Sequence, residues 1–236
     1  MTIAIGYLHM KGIAHRDLKL ENVLCDQDGY IKIIDYGLAK MLGEDQETTS
    51  FCGTPEYLAP EMVNQSGHDK GVDWWALGIL IYEMLIGVTP FFNKNKNMLL
   101  SKIKTAKVVF PDRKKYKIEY SDEIVDLICK LLEKDKTKRM GAKDDFVEIL
   151  SHPVFTHIDI QKLEAREIPP VFKPAVNDDD LTKYFNVQQD SQAISDTYIP
   201  RENRKLVAQN EDVFSTFSSK KKKWTSLLIG TIQNSK

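Results

Sequence analysis

The chain has 236 residues, 42% of them hydrophobic, with 33 Lys and Arg against 34 Asp and Glu. That length and apolar content suit a packed core and exclude a globally disordered chain, and the balanced charge offers no whole-chain field for a polyanion, so nucleic acid is not an expected partner. Three dispersed cysteines, Cys25, Cys52 and Cys129, contain no C-x-x-C pair and match neither a disulfide framework nor a zinc site; a reducing, cytoplasmic setting fits them.

In chain order, Ile5 and Leu8 mark the apolar face of a helix that Gly12 can end, which places Met1 inside an element rather than before one. No basic leader or cleavage site of a secretory start is present. The run His15-Arg16-Asp17-Leu18-Lys19-Leu20-Glu21-Asn22 follows. Residues 23–25 and 30–34 are β-rich and flank Asp28-Gly29, which predicts a hairpin. Asp35-Tyr36-Gly37 comes next, and then Cys52-Gly53-Thr54-Pro55-Glu56-Tyr57-Leu58-Ala59-Pro60-Glu61. The longest apolar stretch, 74–86, is too short to cross a bilayer and contains Glu83, so it reads as a buried helix that Asp73 can cap. Ser121 can cap a second helix, in which Ile124, Leu127, Ile128, Leu131 and Leu132 recur at helical spacing and predict one buried face. After about His157 the composition changes. Pro169-Pro170, Pro174, Asp178-Asp179-Asp180 and a polar run over 188–210 suit a segment that wraps a surface, with a boundary near Thr156.

The three polar blocks hold groups suited to phosphoryl transfer. Moving a phosphoryl group from ATP to a hydroxyl needs little covalent help from a protein, but it needs a proton acceptor and ligands for the metal on the phosphates. Asp17 fits the first role. Lys19, two residues on, can neutralise the transferred group, and Asn22 and Asp35 offer oxygen ligands suited to Mg2+.

In order and spacing these blocks resemble the catalytic loop, metal-binding turn and activation-segment end of a protein kinase. Residues 52–61, Asp73-Trp74-Trp75-Ala76-Leu77-Gly78 and Pro169-Pro170-Val171-Phe172-Lys173-Pro174 look like the AGC class of serine/threonine kinases, nearest its protein kinase B and protein kinase C branches. The resemblance implies a mainly α fold with a small β-hairpin content. It divides the chain into a kinase C-terminal lobe over 1–156 and an irregular AGC-type extension over 157–236. It implies that Thr54 hydrogen-bonds near Asp17 and Lys19 and favours serine or threonine acceptors, that Glu61 pairs with Arg139, and that Asp73 holds the backbone of the catalytic loop. Two positions depart from the common kinase pattern. Tyr36 stands for the usual Phe, which keeps the aromatic packing and adds a hydroxyl that needs a partner if buried. Leu20 stands where many kinases have Pro, as is familiar within the AGC class.

Regulation and specificity follow from the same resemblance. Ser50 occupies the activation-loop phosphate position, filled by an upstream activating kinase, with Arg16 as its cationic partner; residues 48–50 also fit an ordinary hydroxyl-rich loop. Phe214-Ser215-Thr216-Phe217-Ser218-Ser219 resembles the AGC hydrophobic motif, with Ser218 as its phosphosite, and Thr197 or Ser195 resembles the turn-motif site. Glu21 and Glu83 match acidic positions that receive an arginine ahead of the acceptor, and Glu56 can extend that surface, so a basic protein substrate is implied. The segment 220–229 opens with Lys220 and closes with Ile229. It fits first a solvated end; weak contact with an anionic membrane and nuclear targeting by the lysine run are the alternatives.

The chain contains no G-x-G-x-x-G and leaves no room before His15 for a five-stranded lobe. Since phosphoryl transfer depends on positioning and electrostatics, loss of the upper phosphate grip removes much of the rate. The expectation is therefore an N-terminally truncated serine/threonine kinase. The alternative is a noncatalytic module that captures substrates or partners through its lower-lobe surface.

Overall fold

Helix α1 (Thr2–Met10) stops at Lys11, and Gly12 takes a φ of +71° while its N–H donates to the His9 carbonyl at 2.9 Å, the glycine exit expected from the sequence. The structure is a computed structural model and describes residues 1–43 and 46–175. Thr197, Ser195, Ser218 with its two phenylalanines, and the segment 220–229 lie outside the described residues.

Two antiparallel ribbons carry the polar blocks. Strand β1 (Ile13–Ala14) pairs with β4 (Lys40–Met41), with Ile13 opposite Met41 and Ala14 opposite Lys40. Strand β2 (Val23–Cys25) pairs with β3 (Ile31–Ile33) in the predicted hairpin, and Val23 faces Ile33. Gly29 in its turn has a φ of +93°, a conformation that favours glycine.

The remaining described elements are helical. They are α2 (Pro60–Asn64), α3 (Gly71–Ile86), α4 (Lys96–Thr105), α5 (Arg113–Tyr116), α6 (Asp122–Leu131), α7 (Asp145–Leu150) and α8 (Ile160–Glu164). Helix α3 is the axis of the core. Trp74, Trp75, Leu77, Ile79 and Leu80 are all buried on it, so it is apolar nearly all round, as a helix enclosed by others must be. Its main partner is α6, whose Leu127, Ile128 and Leu131 are buried while Ile124 packs at the margin of the same core. The Ser121 hydroxyl accepts from the Ile124 N–H at 3.3 Å, the cap read from the sequence. Trp75 stacks on Phe91 with ring centroids 5.8 Å apart.

The start of α3 differs from expectation. The helix begins at Gly71 after Lys70, so Asp73 lies within the first turn and does not cap it. Two backbone N–H groups of the loop after β1 take its carboxylate instead. No helix among the described residues is long and apolar enough to cross a membrane. The three cysteines are free, Cys25 and Cys129 being exposed. Beyond α8, Tyr30 donates its hydroxyl to the Arg166 carbonyl at 3.1 Å and the Arg166 guanidinium sits 4.8 Å above the Tyr30 ring, so this stretch lies against the hairpin.

Candidate active site

The loop from His15 to Lys19 is suspended from α3. The Asp73 carboxylate accepts the His15 N–H at Oδ2 (2.7 Å) and the Arg16 N–H at Oδ1 (2.8 Å), and Arg16 takes a φ of +67° between them. Such a conformation is uncommon outside glycine and persists where the surroundings over-determine it; two charge-assisted hydrogen bonds to a fully buried carboxylate do so here.

Asp17 emerges from this support into a cluster of donors. The Thr54 hydroxyl donates to Asp17 Oδ1 at 2.8 Å and the Thr54 N–H to the same oxygen at 3.1 Å. Lys19 Nζ donates to Asp17 Oδ2 at 2.9 Å and to Thr54 Oγ1 at 3.1 Å. Burial works against the Asp17 charge, but the hydrogen bonds from Lys19 and Thr54 outweigh it and hold the pKa below the ordinary carboxylate value. The Lys19 pKa is raised, chiefly by its bond to Asp17. The pair is therefore fully ionised at neutral pH.

Asn22 lies in a short 3-10 turn, Leu20–Asn22, and is 5% exposed. Its Nδ2 donates to the Asp17 carbonyl at 2.8 Å, which leaves the side-chain carbonyl as the group it can offer to a ligand. The Ile34 N–H donates to the backbone carbonyl of Asn22 at 3.0 Å, so Asp35 follows a residue tied directly to Asn22. Asp35 is exposed with a φ of +61°, and its Oδ1 accepts the Gly37 N–H at 3.1 Å. Tyr36 is also exposed; its hydroxyl donates to the Ile33 carbonyl at 3.3 Å and its ring meets His15 edge-on at 5.1 Å.

The segments on either side of Thr54 are held by two further groups of contacts. Glu61 and Arg139, at the two ends of a long chain separation, meet in a buried pair. Around Ser50, Arg16 Nη1 donates to Ser50 Oγ at 2.7 Å, Lys40 Nζ donates to Thr48 Oγ1 at 2.6 Å, and the two hydroxyls are 3.2 Å apart. Neither Arg16 nor Lys40 has a carboxylate partner among the described residues.

The acidic positions are less uniform. Tyr57 donates its hydroxyl to Glu83 and accepts the Leu20 N–H at 3.5 Å, and burial followed by the Glu83 bond raises its pKa. Glu21 is exposed close enough to act on both Lys19 and Tyr57. Glu56 is half-buried. Sequence reasoning gave no site role to Lys40 or Tyr57 and took Thr48 only as part of a hydroxyl-rich loop; the adjacency of Tyr57 to Glu56 could have drawn attention to that tyrosine.

The protein kinase domain family matches residues 1–155. The chain is 45% identical over 185 residues to RAC serine/threonine-protein kinase of Drosophila melanogaster, covering 78% of this chain and 29% of that protein. It is 46% identical over 177 residues to serine/threonine-protein kinase sgk-1 of Caenorhabditis elegans, covering 75% and 37%. Against human serine/threonine-protein kinase Sgk1 it is 43% identical over 184 residues, covering 78% and 41%. The chain thus spans well under half the length of these curated relatives.

Proposed function

We propose, because this chain belongs to the protein kinase family and its relatives are AGC-class serine/threonine kinases, that it supplies the acceptor and metal side of such an enzyme. The reaction is transfer of the γ-phosphoryl group of ATP to a Ser or Thr hydroxyl of a protein. The observation that carries this reading is the Asp17, Lys19 and Thr54 constellation hung from Asp73.

An Asp17 of lowered pKa is a weak base, so its contribution is to orient the incoming hydroxyl through a hydrogen bond and to receive the proton late, once the new P–O bond is forming. Lys19 Nζ, between Asp17 and Thr54, is placed to neutralise charge on the transferred group. Thr54 fixes the distance between the two and supports a preference for small hydroxyl acceptors. Asn22 and Asp35 fit Mg2+ by chemistry: both offer hard oxygen, and two protein oxygens suit an ion that takes its other ligands from phosphates and water. When bound, Mg2+ neutralises the phosphate oxygens. The chain's own part is to present the Asn22 side-chain carbonyl, freed by the commitment of its Nδ2, and the carboxylate of Asp35, which follows the residue bonded to the Asn22 backbone.

Glu21, Glu83 and Glu56 support a basic stretch ahead of the acceptor in the substrate. Ser50, with Arg16 and Lys40 beside it, supports activation by phosphorylation from an upstream kinase. The division into a C-terminal lobe and an AGC extension after residue 156, tail phosphosites at Thr197 and Ser218, and a mainly cytoplasmic location with nuclear or membrane-edge contact through 220–229 complete the reading. The sequence holds no Gly-rich phosphate loop, so the activity is proposed for a protein in which such a grip accompanies the loop 15–22.

The test is transfer of labelled phosphate from Mg-ATP to a serine peptide with preceding arginines, using the full natural gene product and its Asp17→Asn variant. Transfer that falls by about 10²-fold to 10⁴-fold in the variant supports the proposal. A product that holds the peptide but neither binds Mg-ATP nor transfers phosphate refutes it in favour of a noncatalytic capture module.

A further inference from the structure

Both ring nitrogens of His9 face carboxylates. Nδ1 lies 2.8 Å from Asp145 Oδ1 and Nε2 lies 3.1 Å from Asp73 Oδ2, in a residue 2% exposed. A neutral imidazole has one N–H and one lone pair, so it can serve one of these oxygens and must set its lone pair against those of the other. With the ring shut off from water, that mismatch has no solvent to relieve it. An imidazolium donates to both.

The two carboxylates have other duties. Asp73 is the group that carries the backbone of His15 and Arg16, and its Oδ2 is shared between His9 and the His15 N–H. Asp145 has further contacts: Trp74 Nε1 donates to the same Oδ1 at 2.8 Å, Lys70 Nζ stands 3.9 Å from its Oδ2, and its φ is +49°. A continuous path therefore runs from the start of α7, through the side chain of His9 on α1, to the carboxylate on α3 that suspends the loop bearing Asp17.

We propose that Asp145 and His9 are positioning residues for phosphoryl transfer, with Asp145 holding His9 as an imidazolium whose second N–H fixes Asp73 under the catalytic loop. The contacts stand by themselves; only their catalytic consequence rests on the function proposed above.

The electrostatic surroundings act in the same direction. Burial pulls the His9 pKa down, but hydrogen bonds to Asp145 and Asp73, together with their charges, outweigh it and leave it above the ordinary histidine value. Lys70 is an opposing charge beside the pair, and its Nζ is turned onto the His9 carbonyl at 3.2 Å. The groove alongside carries Lys136, Lys143 and Arg139, the last paired with Glu61, against Glu47 and Asp69. Because the folded pKa is raised, the stabilising contribution is complete below the unfolded histidine pKa and is lost as pH rises through the folded one. Loosening of the loop is thus expected on the alkaline side.

The test needs no phosphotransfer. In the full chain, nitrogen-15 chemical shifts of the His9 ring and amide hydrogen exchange of His15 and Arg16 are followed together against pH. The expected result is a ring protonated at both nitrogens at neutral pH, with the two amides losing protection as it titrates. Asp145→Asn keeps an acceptor and the side-chain volume while removing the charge. It should raise the acid dissociation constant of His9 at least about tenfold, one pKa unit, and shift the loss of protection down by the same amount, while Asp145→Glu restores part of both. A His9 that is neutral at pH 7, or amides whose exchange ignores its titration in the unaltered chain, would overturn the proposal even if the variant did not fold.

Discussion

Arg139 meets Glu61 with both arms of its guanidinium: Nη1 lies 2.6 Å from Oε1 and Nη2 lies 2.8 Å from Oε2, with side-chain exposures of 1% and 5%. The other arginine donors are also used, Nε on the Glu133 carbonyl at 3.1 Å and Nη1 on the Gly71 carbonyl at 3.2 Å, and the group lies over the Trp75 ring. The pair thereby ties α2, just after the Thr54 segment, to the start of α3 and the turn after α6.

Removing one partner leaves the other charge buried and uncompensated. Glu61→Ala is expected to lower stability by about 3–5 kcal/mol, and Arg139→Lys to recover little because an ammonium cannot form the two-armed contact. Urea unfolding measures both. A loss below about 1 kcal/mol, the range of solvated surface pairs, would show that water reaches the site.

At Gly78, α3 packs tightly against the end of α6. A Cβ there would stand 2.9 Å from Leu131 Cβ and 2.9 Å from Leu132 Cδ2. Alanine favours a helix interior by about 1 kcal/mol over glycine, whereas overpacking a filled core costs about 1–3 kcal/mol. One contact is to a Cβ, which cannot turn away, so the clash wins. Gly78→Ala should lower the melting temperature; an increase would mean that the two helices can separate without penalty.

Lys134 is a cation set into the core margin. Its Nζ donates to the Ile103 carbonyl at 2.7 Å and lies 3.8 Å from the centre of the Phe91 ring. Burial, reinforced by Arg139 and opposed by Glu133, pulls its pKa down to about 8 from 10.5. Between those values the unfolded chain holds a proton that the folded one releases, so this residue makes stability rise with pH across that window. The stability of the unaltered chain relative to Lys134→Met should therefore rise from pH 8 to pH 10, as read by urea midpoints. Parallel curves would contradict it.

Phosphorylation of Ser50 would place a charge of about −1.5 to −2 between Arg16 and Lys40, two cations with only neutral partners in the described structure. Each charge-assisted hydrogen bond contributes about 1.5–3 kcal/mol. Proteolytic cleavage within 46–54 should slow at least about tenfold on phosphorylation, and Arg16→Ala should remove most of that protection. Equal cleavage rates for both forms would count against an ordered phosphate site.

Much of the candidate site was legible because its signal is local. Asp17, Lys19 and Asn22 lie within six residues of one another, and the Asp28-Gly29 turn, the Ser121 cap and the helical spacing from Ile124 to Leu132 are each set by neighbours in the chain. Asp73 shows where local reading fails. An aspartate ahead of an apolar run satisfies the pattern of a cap, and only the family resemblance, not its neighbours in the chain, pointed to the loop; its partners are backbone N–H groups 58 and 57 residues away.

Intrinsic backbone preference and side-chain periodicity were enough to specify the hairpin, the buried helices and the chemical types in the loop 15–22. Packing chose which buried polar groups would answer one another. His9 meets Asp145 across 136 residues and Arg139 meets Glu61 across 78, because a charge taken out of water must find a partner wherever the folded chain brings one within reach, and chain distance has no part in that requirement.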